Sequence, residues 1–400
     1  MPNSFLTPNM ITREALRILH QKLNFVGSIN RDYDDRFAKD GAKIGDTLRV
    51  RLPNQYTVRT GATLSAQDTE ERSVSLQVAT QRGVDLNFQS TELTLSLDDF
   101  SERILEPAMS VLAAAVEADA LSMYQDVGNS IWNGGAAANF GRVLQGRKLL
   151  QDNLAPMNAR TALLNTQDNV DMVDALKGLF NDPTTLSKQY REGYMGRTAG
   201  FDFAENTLLP RHTRGAANAS YTTSTLVAAL PISSTPVTQI TVAAGTGAMN
   251  RGDVFTIANV FAVHPETKAN TGVLQQFTVR TAYAGGAGTL QISPSIILAG
   301  GNQNVVIPTT NASAVMTFAG TASTAVGTSL VYQKDAFAFA TADLIMPKGV
   351  DFAAREVMDG ISLRIVRQYD INNDRFPCRL DILYGYQTIR PQLAARLHNN

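Results

Sequence analysis

The sequence predicts an α+β chain interrupted by an inserted all-β module. Three observations predict it. Charge is segregated: residues 216–328 carry only Arg251, Asp253, Glu266, Lys268 and Arg280, and the rest of the 400-residue chain holds the other 66 of its 71 charged side chains (35 basic, 36 acidic). Apolar residues recur with period two in some stretches and at helical spacing in others. A regular β hairpin pattern follows the charge-poor window. With 44% hydrophobic residues the chain has enough apolar surface for packed cores.

The elements follow in order. Thr7-Pro8 reads as an N-cap with proline in the first turn, and Ile11, Ala15, Ile18, Leu19 and Leu23 share one face of a helix over 8–24. That face docks either on the chain's own core or, as an arm, on a partner. Leu48, Val50 and Leu52 alternate with Arg49 and Arg51; Val74, Leu76 and Val78 alternate with Ser73, Ser75 and Gln77; Val84, Leu86 and Phe88 alternate with Asp85 and Asn87. These are half-buried strands, and Gly61 between the first two makes a long hairpin over 45–95 the expected form. Such a ribbon has little core of its own and has to lie on another domain or subunit.

From Ile104 to Leu121 the period becomes helical, with Pro107 in the first turn and an Ala-rich stretch favouring a long spine helix before Gly128. A second helix is expected over 139–153, a short strand over Thr161–Leu164, and a third helix capped by Asn165 or Thr166 and running through Phe180. Residues 181–215 read as connections. Within 216–328, short β runs (Gln239–Val242, Val254–Ile257, Leu274–Arg280, Thr289–Ile292, Val305–Ile307, Ala314–Phe318) alternate with turn clusters, the pattern of a small barrel or sandwich. Ile361, Leu363 and Ile365, then Cys378, Leu380, Ile382 and Tyr384, alternate with polar residues across the turn Asn372–Asp374. Cys378 falls on the apolar face and reads as a packed small hydrophobe.

Chemistry-bearing patterns are missing. No phosphate-binding loop, nucleophile elbow or H-E-x-x-H occurs. Gly245 and Gly247 begin a G-x-G, but Asn250 stands where a third glycine belongs, and a strand follows. One cysteine excludes an intrachain disulfide, and His20, His212, His264 and His398 have no ligand spacing. Asp32, Asp34 and Asp35 lack the further acids of a calcium loop and read as solvated surface. The expectation is no catalytic site, no cofactor and no metal. No signal-peptide pattern or transmembrane run appears, so no membrane partner is expected. A net charge of −1 argues against a protein that grips nucleic acid tightly. Arg251-Gly252-Asp253 spells an adhesion tripeptide, and equally a turn into a strand.

The order of these parts, with local motifs, resembles the major capsid proteins of tailed bacteriophages, the Hong Kong 97-type fold. More narrowly it resembles coat proteins of Salmonella-type short-tailed phages, which carry an insertion domain. The resemblance rests on Leu6-Thr7-Pro8 with Arg13-Glu14-Ala15-Leu16, Asn30-Arg31-Asp32-Tyr33, Lys43-Ile44-Gly45-Asp46-Thr47, Leu97-Asp98-Asp99-Phe100 with Pro107-Ala108-Met109, Arg251-Gly252-Asp253 with Phe255-Thr256-Ile257, and Tyr384-Gly385-Tyr386 with Arg390-Pro391.

The resemblance implies an N-terminal arm (1–44), an extended β-loop (45–96), a peripheral domain with the spine helix (97–160), an axial domain in two parts (161–215 and 329–358), the inserted β domain (216–328), and a C-terminal hairpin returning to the peripheral domain (359–400). It implies a structural, non-enzymatic protein that self-assembles through hexamers and pentamers into an icosahedral shell around a double-stranded DNA genome. Implied partners are a scaffolding protein, a portal protein, a decoration protein, and packaged DNA held only weakly. The shell belongs to the virion and is built in the bacterial host cytoplasm. Candidates for inter-subunit contact are Arg49, Arg51, Arg59, Asp68, Glu70, Glu71 and Arg72, and for scaffold or interior contact Arg13, Glu14 and Arg17. Some relatives crosslink through a ribbon lysine. Here none lies between Lys43 and Lys148, so no ribbon isopeptide bond is expected. The alternatives are a secreted β-rich adhesin using Arg251-Gly252-Asp253 and an α/β enzyme with a β appendage.

Overall fold

The thirteen-residue strand Phe376–Thr388 organises the first of two units into which the chain divides. The structure is a computed structural model and describes residues 8–31, 47–64, 66–67, 69, 71–88, 104–176, 197–218, 220–223, 234–308, 314–358, 360–371 and 375–399. The first unit comprises Met1–Val50, Ser75–Leu121 and Phe337–Ile389; the second comprises Arg51–Val74, Ser122–Ala336 and Arg390–Asn400.

In the first unit, Phe376–Thr388 pairs antiparallel with Thr80–Phe88, Ile361–Arg367 and Phe337–Ala342, and Phe352–Met358 extends the sheet beyond Ile361–Arg367. Leu380, Ile382 and Tyr384 are fully buried as the alternation expected, but Asp381 and Leu383 between them are buried as well, so the middle of the strand is covered on both faces. Cys378 lies on the same face as Leu380, and burial pushes its thiol up to about 12, as a packed residue requires.

The spine helix Glu106–Leu121 buries Ala108, Met109, Leu112, Ala113, Val116 and Ala120. Pro107 occupies its first turn, where the missing N–H has no partner to lose. The N-terminal helix Pro8–Lys22 lays Ile11, Ala15, Leu16, Ile18 and Leu19 on its own unit, against the spine helix and the strand Phe352–Met358. Its apolar face is therefore taken within the chain.

Chain expectation and structure part at the ribbon. The hairpin expected over 45–95 divides: Thr47–Arg51 pairs only with Ser73–Gln77 in a two-stranded sheet, and Thr80–Phe88 joins Phe376–Thr388 instead. Period two fixes which face of a strand is apolar, not which strand it pairs with.

In the second unit, a sheet runs in the order Ser130–Trp132, Ala394–Asn399, Ala325–Gln333, Arg160–Leu164, Phe201–Glu205, Arg197–Thr198. Ala325–Gln333 is its centre and pairs antiparallel with both neighbours. The helix Phe140–Asp152, capped by the Asn139 side chain accepting from the Arg142 N–H, lies on it. Gly146 lets the helix approach closely, because a Cβ there would stand 2.8 Å from the Val331 side chain. The helix Thr166–Leu176 follows Asn165, whose side chain accepts from the Asp168 N–H. Two central strands, Phe201–Glu205 and Ala325–Gln333, fall where the sequence pointed to connections or left the type open.

Within the same unit the charge-poor residues form a β module. Each of the six expected β runs falls on a strand: Val237–Ala244, Val254–Val263, Asn270–Val279, Gly288–Ile296, Val305–Val306 and Met316–Phe318. The sheet runs from Met316–Phe318 through Val254–Val263, Asn270–Val279, Gly288–Ile296 and Val237–Ala244 to Thr222–Thr223. A bridge from Thr222 to Val315 closes the path on itself, making a barrel. Tyr221, Ile240, Phe255, Phe277, Leu290 and Met316 fill its core.

Candidate functional site

Of the candidate inter-subunit residues, Arg49 and Arg51 lie on the strand Thr47–Arg51, and Arg59, Glu71 and Arg72 on the loop between it and Ser73–Gln77. Backbone pairing ends with the Leu52 N–H donating to the Arg72 carbonyl at 2.8 Å. Beyond it, side chains link several of the described loop residues. Gln67 accepts from the Thr57 N–H at 2.9 Å and donates to the Thr57 carbonyl at 2.6 Å, and the Tyr56 hydroxyl meets that of Thr69 at 3.2 Å. Arg59 turns back on the tip and donates to the carbonyls of Gly61 and Thr63.

The structure brings Arg51 and Glu71 together across the ribbon at 3.3 Å, with side chains 77% and 58% exposed. Such a pair contributes about 0–1 kcal/mol. Arg49 and Arg72 are exposed on the same ribbon. Asp68 and Glu70 lie outside the described residues. The charge reading missed the apolar side chains of this loop: Tyr56, Val58 and Leu64 are 54%, 95% and 82% exposed. Among the described residues these three large apolar groups are exposed on one short segment. The signal was in the sequence, since Tyr56-Thr57-Val58 interrupts a polar stretch where no strand partner was assigned.

On the N-terminal helix, Arg17 donates to Glu14 at 3.0 Å one turn away, and the carboxylate holds the guanidinium pKa above its ordinary value. Arg13 is exposed beside them. These three occupy the polar side of a helix whose apolar side is buried in its own unit.

In the Arg251-Gly252-Asp253 tripeptide the acidic residue is not displayed. Asp253 is 1% exposed; one carboxylate oxygen accepts from the backbone N–H groups of Gly215 and Asn250, both at 2.9 Å, and the other faces His212 Nε2 at 3.0 Å. The carboxylate makes Nε2 the protonated nitrogen, so Nδ1 accepts from the Tyr124 hydroxyl at 3.1 Å. Arg251 pairs with Asp126 at 3.1 Å, and buried Arg396 donates to the Gly252 carbonyl at 2.8 Å. Arg251 is exposed, but Gly252 and Asp253 are buried in the turn that leads into the strand, so the carboxylate is turned inward.

The fold also brings together two histidines remote in sequence. His212 and His398 have ring centroids 5.8 Å apart. Burial, with Arg396 and His212 beside it, holds His398 well below the usual imidazole range. A cationic neighbour opposes metal binding, and among the described residues no group of three or more His, Cys, Asp or Glu side chains could hold a metal ion. Among the described residues, no helix is long and apolar enough to cross a membrane.

Solved structures with similar folds include that of Mycobacterium phage Che8 (11% identity, 94% of this chain and 90% of that chain covered, TM-score 0.48). They also include the capsid of cyanophage P-SCSP1u (10% identity, 91% and 85% covered, TM-score 0.41) and the mature capsid of bacteriophage PhiM1 (10%, 91% and 84%, TM-score 0.41). No protein of curated function matches the sequence significantly. The family model described as "P22 coat protein - gene protein 5" matches residues 35–396, which span the ribbon, the spine helix and the β module and reach into the final strand. The chain belongs to the P22 coat protein family.

Proposed function

We propose that this chain is the major capsid protein of a tailed phage, closing into an icosahedral shell of hexamers and pentamers around double-stranded DNA. Its role as a structural coat protein follows from the family. The observation that carries the subunit-contact reading is the 52–71 loop, whose Tyr56, Val58 and Leu64 are exposed over no core of their own. In this reading residues 1–44 are the arm, 45–96 the extended loop, 97–160 the peripheral domain, 161–215 and 329–358 the axial domain, 216–328 the inserted β domain, and 359–400 the returning C-terminal segment.

The loop lies across a neighbouring subunit, with Arg49, Arg51, Arg59, Asp68, Glu70, Glu71 and Arg72 bordering the apolar contact. Arg13, Glu14 and Arg17 face the shell interior and meet scaffold. Scaffolding, portal and decoration proteins are the expected partners, and assembly takes place in the host cytoplasm. Individual exposed charge pairs contribute little, but a closed shell repeats each contact in every subunit. Sedimentation velocity of the expressed chain, alone and with a scaffolding protein, tests the reading. A fast, homogeneous shell boundary is expected in at least one condition; slow small oligomers in both would overturn it.

A further inference from the structure

The loop of residues 52–71 is not held by its own hydrogen bonds alone. Its base meets the β module of the same unit at two independent points. Lys268 Nζ stands 3.3 Å from the Gln55 Oε1 atom, donating, and is itself anchored by the carbonyls of Pro265 and Gln303. The Gly301 backbone passes so close to the loop that a Cβ there would lie 2.0 Å from the Gln55 carbonyl oxygen and 3.2 Å from the Tyr56 Cα. Gly301 does not sit in a left-handed conformation, so glycine is needed there for space.

Lys268 carries the complementary signature. It lies in the turn joining Val254–Val263 to Asn270–Val279, with φ +57, a left-handed conformation that favours glycine or asparagine. The turn is fixed around it: His264 Nδ1 accepts from the N–H groups of Glu266 and Thr267, and the Lys268 N–H donates to the His264 carbonyl. Strain of this kind persists where the side chain is put to use. The ammonium is also partly desolvated, which lowers its pKa. A lysine in a glycine position, and a glycine where any side chain would collide, converge on one residue of the loop, Gln55.

We propose that the inserted β module is a strut for the extended loop of its own subunit, holding Gln55 so that Tyr56, Val58 and Leu64 are aimed before a neighbour is met. This rests on the reading of the loop as a subunit contact. Its physical benefit is preorganisation: a loop already directed loses less freedom when it docks.

The test uses the full-length chain as unassembled subunits. Hydrogen exchange over residues 52–60 and tryptic cleavage after Arg59 are compared between the unmodified chain and Gly301→Val. Exchange over 254–263 and 270–279 serves as the internal check that the module is folded. The variant is expected to raise both loop readouts about tenfold while leaving the module strands protected. Lys268→Met, which removes only the amine, is expected to raise them about threefold and covers the case in which Gly301→Val fails to fold. Unchanged loop exchange and cleavage in every folded variant would overturn the strut. Whether the unmodified chain forms shells is read separately and does not enter this comparison, so a failure of the assembly reading is distinguishable from a failure of the strut.

Discussion

Replacing Asp253 by alanine should unfold the second unit far more readily, whereas replacing it by asparagine should be mild. The carboxylate is fully enclosed and serves three partners: two backbone N–H groups at 2.9 Å and His212 at 3.0 Å. Alanine orphans both N–H groups and leaves His212 without its acceptor. Each buried unsatisfied donor costs about 1–3 kcal/mol, and removing one member of a buried pair about 3–5 kcal/mol, so Asp253→Ala should lose ~4 kcal/mol. Asparagine keeps an acceptor oxygen for Gly215 and Asn250. Its amide then donates to His212 Nε2, the ring proton moves to Nδ1, and Tyr124 becomes the acceptor, for a loss of ~1 kcal/mol.

Trp132, the single tryptophan, lies in this unit with its ring 5.5 Å from His398 and reports its unfolding by fluorescence. With a urea slope of ~3 kcal/mol/M, the alanine variant should shift the midpoint by ~1.3 M and the asparagine variant by ~0.3 M. An alanine midpoint within about 0.3 M of the unmodified chain, or equal damage from both variants, would refute the account of Asp253 as a buried hub.

Further predictions concern charge, loop and covalent chemistry. Glu117 accepts from the N–H groups of Phe25 and Val26, and burial pushes its pKa from 4.5 up to about 7. The folded chain therefore binds this proton more tightly than the unfolded chain; the contribution is fully present below pH 4.5 and is lost as pH rises through 7. The raised pKa corresponds to ~3 kcal/mol, and Glu117→Gln should flatten the pH dependence of hydrogen exchange over 24–31; an unchanged slope contradicts it. Tyr56→Ser, Val58→Ser and Leu64→Ser together should change subunit stability by less than about 0.5 kcal/mol yet abolish shell formation; normal shells would remove the loop from the interface. Arg49→Ala with Arg51→Ala should likewise leave folded, soluble subunits, checked by sedimentation, with shells formed as usual counting against it. Purified shells should run as single chains on denaturing gels, and a crosslinked ladder would contradict the absence of a ribbon isopeptide bond.

Much of the fold was legible because local periodicity is a local consequence of burial. The helices Pro8–Lys22, Phe140–Asp152 and Thr166–Leu176 fall within the expected stretches, although the last is described only to Leu176, short of the expected Phe180. The alternation around Leu380 and Ile382 marked a strand, although Asp381 and Leu383 on its other face are buried too. Ala325–Gln333 escaped because eight of its nine residues are buried, leaving no alternation to read. Ala394–Asn399 escaped for the opposite reason: Arg396 and His398 look like surface residues, yet both are buried by partners remote in sequence. Pairing was legible where strands are neighbours across a turn, as for Ile361–Arg367 with Phe376–Thr388, and not where the partner is remote, as for Thr80–Phe88. At the candidate site, charge drew attention to Arg51 and Glu71, which the structure joins to each other, while the exposure of Tyr56, Val58 and Leu64 among the described residues needed the fold. Lys268 and Gln55 lie 213 residues apart, and only the structure brings them within reach.

The most direct test of the central claim is electron microscopy of particles from cells expressing the chain, with and without a scaffolding protein. Uniform closed icosahedral shells, with one copy of this fold at every quasi-equivalent position, are the predicted result. Compact small oligomers in both conditions would contradict it.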